Sequence, residues 1–256
     1  MKYEPHPSLG ATLDTVIALL SRGEMEILGQ IRASSNAIFL VGVAEAENGA
    51  ELQAGAQALA IYKPRRGERP LWDFPPGTLC QREVAAYVLS RELGWPLVPP
   101  TVLRDGPYGP GAVQLYIDAD PAANYFTLRE ERSGDLLPVA LFDLLTNNAD
   151  RKGGHLLLDA QARIWAIDNA LTFHTDPKLR TVIWDFAGAP IPQPYLDDLR
   201  HLHERLVSDS DLHRCLSELL SGREMSTLVA RLVALLESAF FPQPDPNRRN
   251  VPWPMV

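Results

Sequence analysis

The sequence predicts an α+β protein whose strands come mostly before its helices, and three observations support this class. Short apolar runs typical of strands recur through the first 116 residues, together with helical patterns at 9–22 and 79–93. Beyond that point apolar residues recur mainly at helical spacing. With 256 residues, 46% of them hydrophobic, the chain is long enough for one large domain or two small lobes that share a cleft.

Residues 1–116 form the predicted N-terminal lobe. An amphipathic helix at 9–22 ends at Gly23, and the longer helix at 79–93 has small and apolar residues on its inner face and ends at Gly94. Strands are predicted at 25–31, 37–43, 57–64, 102–104 and 112–117. This order predicts an antiparallel sheet accompanied by a helix.

Residues 117–241 form the predicted C-terminal lobe, which is mostly helical. The predicted elements are a short helix or loop at 120–132, a buried helix at 135–147, a hairpin between 156 and 168, an irregular stretch at 174–192, and helices at 195–206, 212–220 and 226–240. A proline-rich tail without periodicity follows at 242–256.

Composition excludes several classes of function. The formal net charge is −8 and no long basic run is present, so a nucleic-acid-binding surface is not expected. The N-terminus lacks the pattern of a secretory signal, and no apolar stretch is long enough to cross a bilayer, so we expect a cytoplasmic protein. Two cysteines, Cys80 and Cys215, are too few for a disulfide framework or a zinc site.

The stretch 146–173 carries the strongest chemical signal. Asp150, Arg151 and Lys152 precede a short apolar run, and a turn and a second run lead to Asp168. Because antiparallel pairing folds the chain back on itself, the hairpin would bring Asp150, His155 and Asp168 together. Such a group suits phosphoryl transfer, in which one Asp orients the acceptor hydroxyl, a cation offsets phosphate charge and a later Asp holds magnesium.

The residues of this stretch resemble the motifs of a known superfamily. The segments NxADR and IDNALTF, at 147–151 and 167–173, are similar to the catalytic loop and metal-binding motif of the phosphatidylinositol 3/4-kinases, and the chain resembles a small prokaryotic branch near the type II phosphatidylinositol 4-kinases. The resemblance implies a two-lobed protein-kinase-like fold, with ATP and Mg²⁺ or Mn²⁺ as cofactors. The motif Asp185-Phe-Ala-Gly imitates another kinase motif but follows no hairpin, so we interpret it as a decoy.

The resemblance also implies nucleotide contacts in the first lobe. The strand ending in Lys63-Pro64 is similar to the kinase strand whose lysine meets the α- and β-phosphates. Glu83, twenty residues later, would hold that lysine. Without the resemblance, Lys63 would be a solvated edge charge and Glu83 a solvated helix residue.

Two further groups are implied nucleotide contacts. Ser34, Ser35 and Asn36 lie between two predicted strands, where backbone N–H groups could cover a phosphate, although the same residues also suit an ordinary hairpin turn. Gln114, Leu115 and Tyr116 match the segment that joins the two kinase lobes and meets the adenine edge through its backbone.

In the second lobe, Asp150 is the predicted catalytic residue, with loop capping as its alternative use. Lys152 is expected to contact the γ-phosphate or a substrate phosphate. Arg151 is a catalytic candidate that could instead pair with acidic groups as scaffold. Asp168 is the expected metal ligand.

His155 departs from the family pattern, because the related kinases carry Asn at that place as a second metal ligand. Magnesium prefers oxygen, whereas manganese accepts nitrogen more readily. The sequence therefore predicts either a manganese preference or a single-metal mechanism. If His155 instead points into the core, the second metal site is absent.

The leading hypothesis is a kinase that transfers the γ-phosphate of ATP to a hydroxyl on a protein, a lipid or a small molecule. One alternative is a pseudokinase that binds nucleotide and acts as a signalling or interaction module. A second alternative is a metal-dependent phosphoesterase using Asp150, His155 and Asp168, but that reading leaves Lys63 and Glu83 without a role.

Overall fold

The computed structural model describes residues 13–31, 36–45 and 57–256 of the chain. These residues divide into two compact units. The first unit contains the described residues up to Val84 together with Pro99–Asp118, and the second contains Ala85–Val98 with Ala119–Val256. Among the helices of the described ranges, none has both the length and the apolar character that a bilayer crossing requires.

The first unit is built on a five-stranded antiparallel sheet. Its elements are α1 (Leu13–Arg22), β1 (Glu24–Ile31), β2 (Ile38–Ala44), β3 (Gln57–Pro64), β4 (Thr101–Gly106) and β5 (Gly109–Leu115), with the first residues of α2 (Leu79–Glu92). The strand order is β1-β2-β3-β5-β4. In this register Lys63 of β3 lies opposite Ala112 of β5.

Helix α1 packs on the sheet through its buried residues Leu19 and Leu20, which join a core with Val41, Val43 and other sheet residues. The helix ends at Gly23, as the sequence predicts. A Cβ atom there would lie only 2.7 Å from the carbonyl oxygen of Ala44, so the close approach of β2 requires glycine.

The second unit is mostly helical. Its elements are the rest of α2, then α3 (Tyr125–Arg132), α4 (Leu137–Thr146), β6 (Leu156–Leu158), β7 (Ile164–Ala166), α5 (Gln193–Val207), α6 (Asp211–Leu219) and α7 (Gly222–Ser238). Helix α4 is buried along most of its length and ends at Asn147, which has a left-handed conformation with φ 54°. Strands β6 and β7 form the predicted hairpin, with Leu156 opposite Ala166.

One predicted boundary is wrong for an identifiable reason. The strand expected at 112–117 ends at Leu115, because its partner β4 starts only after Pro99 and Pro100, and proline has no N–H to extend a ladder. The short helix or loop expected at 120–132 is a loop followed by a helix that starts at Tyr125, where Asn124 caps it by accepting a hydrogen bond from the Phe126 N–H.

Candidate functional site

Lys63 and Glu83 form an ion pair in the first unit. The Nζ of Lys63, on β3, donates a hydrogen bond to Oε1 of Glu83, on α2. The Glu83 side chain is only 1% exposed, so the alternative of a solvated helix glutamate is wrong. The predicted pairing is therefore confirmed, while its role in nucleotide binding stays a prediction.

The predicted phosphate-covering turn is described only at Asn36. Its Oδ1 accepts a hydrogen bond from the backbone N–H of Arg69 at 2.8 Å, and the neighbouring Ala37 N–H donates to the carbonyl of Gly67. Ser34 and Ser35 lie outside the described residues. Asn36 is thus tied to the loop that follows the Lys63 strand.

The predicted adenine-contact segment is partly committed to bonds within its own unit. The Gln114 side chain is buried and donates to Oγ1 of Thr101 at 2.9 Å. The N–H groups of Leu115 and Tyr116 donate to the carbonyls of residues 100 and 59. In this conformation these two N–H groups are therefore committed to bonds within the unit.

In the second unit, two backbone hydrogen bonds bring the Asp150 loop alongside the Asp168 segment. The Ala149 N–H donates to the carbonyl of Leu171 at 2.8 Å, and the Ile167 N–H donates to the carbonyl of His155 at 2.9 Å. The hairpin β6–β7 sets this alignment. Asp168 follows the hairpin in a left-handed conformation, with φ 58°. This conformation is uncommon for a residue with a side chain and is often found at functional sites.

Asp150 is partly buried and lies beside a cation. Its Oδ2 is 3.2 Å from Nζ of Lys152, and its backbone N–H donates to Oδ1 of Asn148. Burial raises the pKa of Asp150, the charge of Lys152 opposes the rise, and the nearby carboxylate of Asp168 adds to it. A carboxylate with a raised pKa is a better proton acceptor than an ordinary one.

His155 contacts Asp168, with 3.4 Å between Nε2 and Oδ2. Its other ring nitrogen, Nδ1, accepts a hydrogen bond from the Lys152 N–H at 3.3 Å. A neutral imidazole that accepts at Nδ1 carries its proton on Nε2, so this tautomer, inferred from the hydrogen bond, makes His155 a donor to Asp168. The predicted imidazole–metal bond would require the opposite tautomer.

The side-chain oxygens at this site suit a metal cation whose other ligands come from phosphate and water. The Asp168 side chain is 47% exposed and offers carboxylate oxygen, the donor that magnesium prefers. Within the described ranges, no three His, Cys, Asp or Glu side chains lie close enough together to hold a metal ion by themselves. Magnesium at kinase sites is bound through one or two carboxylates together with substrate phosphates and water, so this donor set fits.

Arg151 lies beneath the loop. Its side chain is 0% exposed; Nε donates to Asp143 at 3.0 Å, Nη1 to the carbonyl of Ile167 and Nη2 to Oδ1 of Asn169, both at 2.6 Å. Burial raises the pKa of Asp143, and the charge of Arg151 opposes the rise. These contacts match the scaffold alternative for Arg151, because the guanidinium has no exposed face for a ligand.

A second segment pairs with the catalytic loop, and sequence reasoning missed this pairing. The Arg180 N–H donates to the carbonyl of Asn148 at 2.8 Å, and the Arg151 N–H donates to the carbonyl of Arg180 at 3.0 Å. Thr181 adds a hydrogen bond from its hydroxyl to Asp143. The sequence signal was only a short apolar run at 182–184 inside a stretch predicted to be irregular.

The tail also reaches this loop. The Gly153 N–H donates to the carbonyl of Met255 at 2.7 Å, and the Thr181 N–H donates to the carbonyl of Asn250. A Cβ atom on Gly153 would lie 2.9 Å from the ring of Phe126, so glycine is required between Lys152 and His155. The tail is thus part of the support of the loop.

The carboxylate of Asp185 makes structural contacts with two side chains of α3. The Tyr125 hydroxyl donates to Oδ2 of Asp185 at 2.6 Å, and Nε of Arg129 lies 2.6 Å from Oδ1. Both carboxylate oxygens therefore already have partners, which supports its interpretation as a decoy.

The fold is similar to that of solved structures. The structure of hydra Fam20 with sugar matches with a TM-score of 0.54 and 16% identity, covering 95% of this chain and 93% of that one. The proinflammatory kinase CtkA of Helicobacter pylori gives a TM-score of 0.49 and 14% identity, covering 86% and 94%. The chain has a protein-kinase-like α+β fold, with an antiparallel sheet in one unit and a mostly helical second unit.

The chain belongs to the same family as protein Rv2133c of Mycobacterium tuberculosis. The two sequences are 38% identical over 278 aligned positions, which cover 93% of this chain and 94% of the relative. No family model matches the chain.

Proposed function

We propose that this protein is an ATP-dependent phosphotransferase of the phosphatidylinositol 3/4-kinase-like type. The observation that supports it best is the grouping of Asp150 and Lys152 beside Asp168 at the end of a hairpin, in a chain with a kinase-like fold. The order of these residues along the chain is the one used in phosphoryl transfer. The motifs at 147–151 and 167–173 support the phosphatidylinositol-kinase type in particular.

In the first unit, Lys63 binds the α- and β-phosphates of ATP, and Glu83 holds its ammonium group in position. A buried carboxylate is well suited to this role, because it fixes a flexible lysine side chain before the nucleotide arrives. The adenine is met by backbone groups of the Gln114–Tyr116 segment, and the Asn36 turn lies at the phosphate end.

In the second unit, Asp150 orients the acceptor hydroxyl and receives its proton, and Lys152 offsets charge on the transferred phosphoryl group. Asp168 would hold Mg²⁺ or Mn²⁺, which supplies neutralisation of phosphate charge. His155 orients Asp168 through Nε2, and Arg151 positions the loop.

His155 as a donor favours the single-metal option over a manganese preference. If the imidazole does not bind metal, its replacement should leave the metal preference unchanged. Activity of His155→Asn with Mg²⁺ and with Mn²⁺ checks this: we expect the ratio of the two rates to stay within about twofold of wild type. A shift of roughly tenfold, equal to about 1.4 kcal/mol, would instead make His155 a metal ligand.

The test of the proposed function is ADP formation from ATP by the purified protein with Mg²⁺ or Mn²⁺. Asp150→Asn should lower the rate by about 10²–10⁴-fold, the usual contribution of a general base. Asp135→Asn is the matched control, because Asp135 is an exposed carboxylate paired only with Arg132 among the contacts described for it. Phosphate release from monoesters without ATP would instead support the phosphoesterase alternative.

The pseudokinase alternative is favoured by two observations, the histidine at the place of the second metal ligand and the absence of glycine from the sequence of the predicted phosphate loop at 32–36. In that case the protein binds ATP and Asp150→Asn changes neither binding nor a background rate. The same two proteins, compared by nucleotide binding as well as by ADP formation, separate the two functions.

A further inference from the structure

A cavity lies in the loop that joins β3 to α2 in the first unit. It has a volume of about 170 Å³ and is lined by residues of the range 65–79. A cavity of about 150 Å³ is large enough to hold benzene, so a molecule with one aromatic ring fits here. Among the described residues, neither Lys63 nor Glu83 lines this cavity.

The walls of the cavity are mostly apolar. Phe74 and Leu79 form its buried side, with 4% and 5% of their surface exposed, and Leu71 is partly buried. Three exposed prolines complete the apolar lining: Pro70, Pro75 and Pro76. Because each proline fixes its own φ angle, the loop loses little conformational freedom when a ligand binds. An apolar group of a ligand would be removed from water in this cavity.

Two arginines supply positive charge at the edge of the cavity. Arg65 and Arg69 are exposed, and in the part of the chain that the structure describes neither side chain forms an ion pair or a hydrogen bond. A Cβ atom at Gly77 would overlap Nε of Arg65, so the guanidinium lies directly against the loop. Arg65 is thus held at the cavity without a carboxylate to neutralise it.

Glu68 also lines the cavity, but its carboxylate serves the start of helix α2. Its Oε1 accepts a hydrogen bond from the Cys80 N–H at 2.9 Å, and its Oε2 is buried. A negative charge is stabilising at this end of a helix, because the free N–H groups there carry partial positive charge. With two cations and one anion in its lining, the cavity has a net positive charge and suits an anionic ligand.

We propose that this cavity binds a small aromatic carboxylate. The ring of the ligand lies among Leu71, Phe74 and Leu79. Its carboxylate receives two hydrogen bonds from Arg65, because a planar guanidinium matches the two oxygens of a carboxylate. Arg69 adds a second positive charge beside it. The site belongs to the first unit alone, and it does not depend on the proposed phosphotransferase function.

Calorimetric titration of the full chain with phenylacetate tests the inference. Wild type should bind phenylacetate, and phenylacetamide, which has the same shape without the charge, should bind about tenfold more weakly, because charged hydrogen bonds are stronger than neutral ones. Arg65→Gln should weaken phenylacetate binding about tenfold for the same reason. Arg66→Gln is the matched control and should bind like wild type, since Arg66 is an exposed neighbouring cation that does not line the cavity.

The inference is overturned if wild type does not bind phenylacetate, or if Arg65→Gln binds it with unchanged affinity. An equal loss in Arg66→Gln would also overturn it, because the general charge of the loop would then be responsible. Tighter binding of L-phenylalanine than of phenylacetate would assign the cavity to an amino acid, with Glu68 as the partner of the ammonium group. Should Arg65→Gln fail to fold, the wild-type preference for phenylacetate over phenylacetamide decides.

Discussion

At the scale of single residues, the two adjacent cations of the catalytic loop have opposite environments. Arg151 is buried among Asp143, Ile167 and Asn169, whereas Lys152 pairs with Asp150 at the surface. The sequence makes both residues candidates, because neither charge nor spacing encodes which side chain turns inward. The direction follows from Asp143, a buried carboxylate that needs a cationic partner.

The environment of Asp150 predicts a pH dependence. A base must be deprotonated, so activity is lost as the pH falls through its pKa, which burial raises above the ordinary value for Asp. Lys152 lowers this pKa, and its removal therefore raises it. We expect Lys152→Met to move the acidic limb of the rate profile to higher pH, whatever its effect on the rate itself. Arg223→Gln, an exposed cation on α7, should leave the limb in place.

The Lys63–Glu83 pair predicts that replacing Glu83 reduces the stabilisation of the protein by bound nucleotide. Glu83→Gln keeps the shape of the buried side chain but removes the negative charge that fixes the ammonium group of Lys63. A ligand at 100-fold its Kd stabilises a protein by about 2.7 kcal/mol, and we expect most of that ATP effect to disappear. Thermal unfolding with and without Mg²⁺ and ATP measures it.

Glu92→Gln is the matched control for this experiment, since Glu92 lies on the same helix and pairs with Arg205. It should keep the ATP effect. An unchanged ATP effect in Glu83→Gln would show that Lys63 does not need its partner to bind nucleotide.

At the scale of elements, the hairpin β6–β7 was predictable because its two apolar runs flank a turn. The hydrogen bonds that anchor that turn were not predictable. Asp159 accepts hydrogen bonds from the N–H groups of Gln161 and Arg163 and from the Trp165 indole, each at 2.9 Å. A sequence shows that an Asp favours a turn, but not which neighbouring donors, such as the Trp165 indole, close on it.

Asp159→Asn should destabilise the protein by about 1–3 kcal/mol, because it weakens several buried hydrogen bonds at once. Burial alone raises the pKa of Asp159, but hydrogen bonds from Arg163 and Trp165 outweigh it and hold the pKa below its ordinary value. The ionised group therefore stabilises the fold above the unfolded-state pKa, and that stabilisation is lost as the pH falls through the lower folded-state pKa.

Urea unfolding of wild type and Asp159→Asn at several pH values checks this prediction. The difference in unfolding free energy should be largest near neutral pH and shrink below about pH 4. Asp135→Asn, an exposed carboxylate, should show little difference. A constant difference at all pH values would mean that the charge of Asp159 is not what stabilises the turn.

The pairing of the 178–182 segment with the catalytic loop shows which contacts cannot be predicted from local sequence patterns. Arg180 and Thr181 lie in a stretch without periodicity, and their partners, Asn148 and Asp143, are more than thirty residues away. Local patterns locate helices and hairpins. They do not reveal bonds between irregular segments, and these bonds shape the candidate site.

At the scale of the whole molecule, the order of strands and helices was enough to predict the fold class. The apolar runs before residue 116 correspond to the five-stranded sheet, and the later helical patterns to α3–α7. One boundary error, the end of β5 at Leu115, occurred where two prolines precede its partner strand. The likeness to Fam20 supports the fold, and the relationship to Rv2133c places the chain in a family.

The function of the whole molecule depends on whether the protein transfers phosphate. The chain has a net charge of −8, and Lys152 lies beside Asp150, with 3.2 Å between Nζ and Oδ2. A cation at this loop of an acidic protein suits an anionic reactant there.

A single-turnover reaction tests the central claim most directly. Purified protein in excess over ATP labelled on the γ-phosphate, with Mg²⁺ or Mn²⁺, reveals even slow transfer. Wild type should move the label from ATP to water, to an added acceptor or to itself, with an equal amount of ADP formed, and Asp150→Asn should not do so on the same timescale. If folded wild-type protein binds ATP with either metal but leaves all the label on it, the protein is not a phosphotransferase.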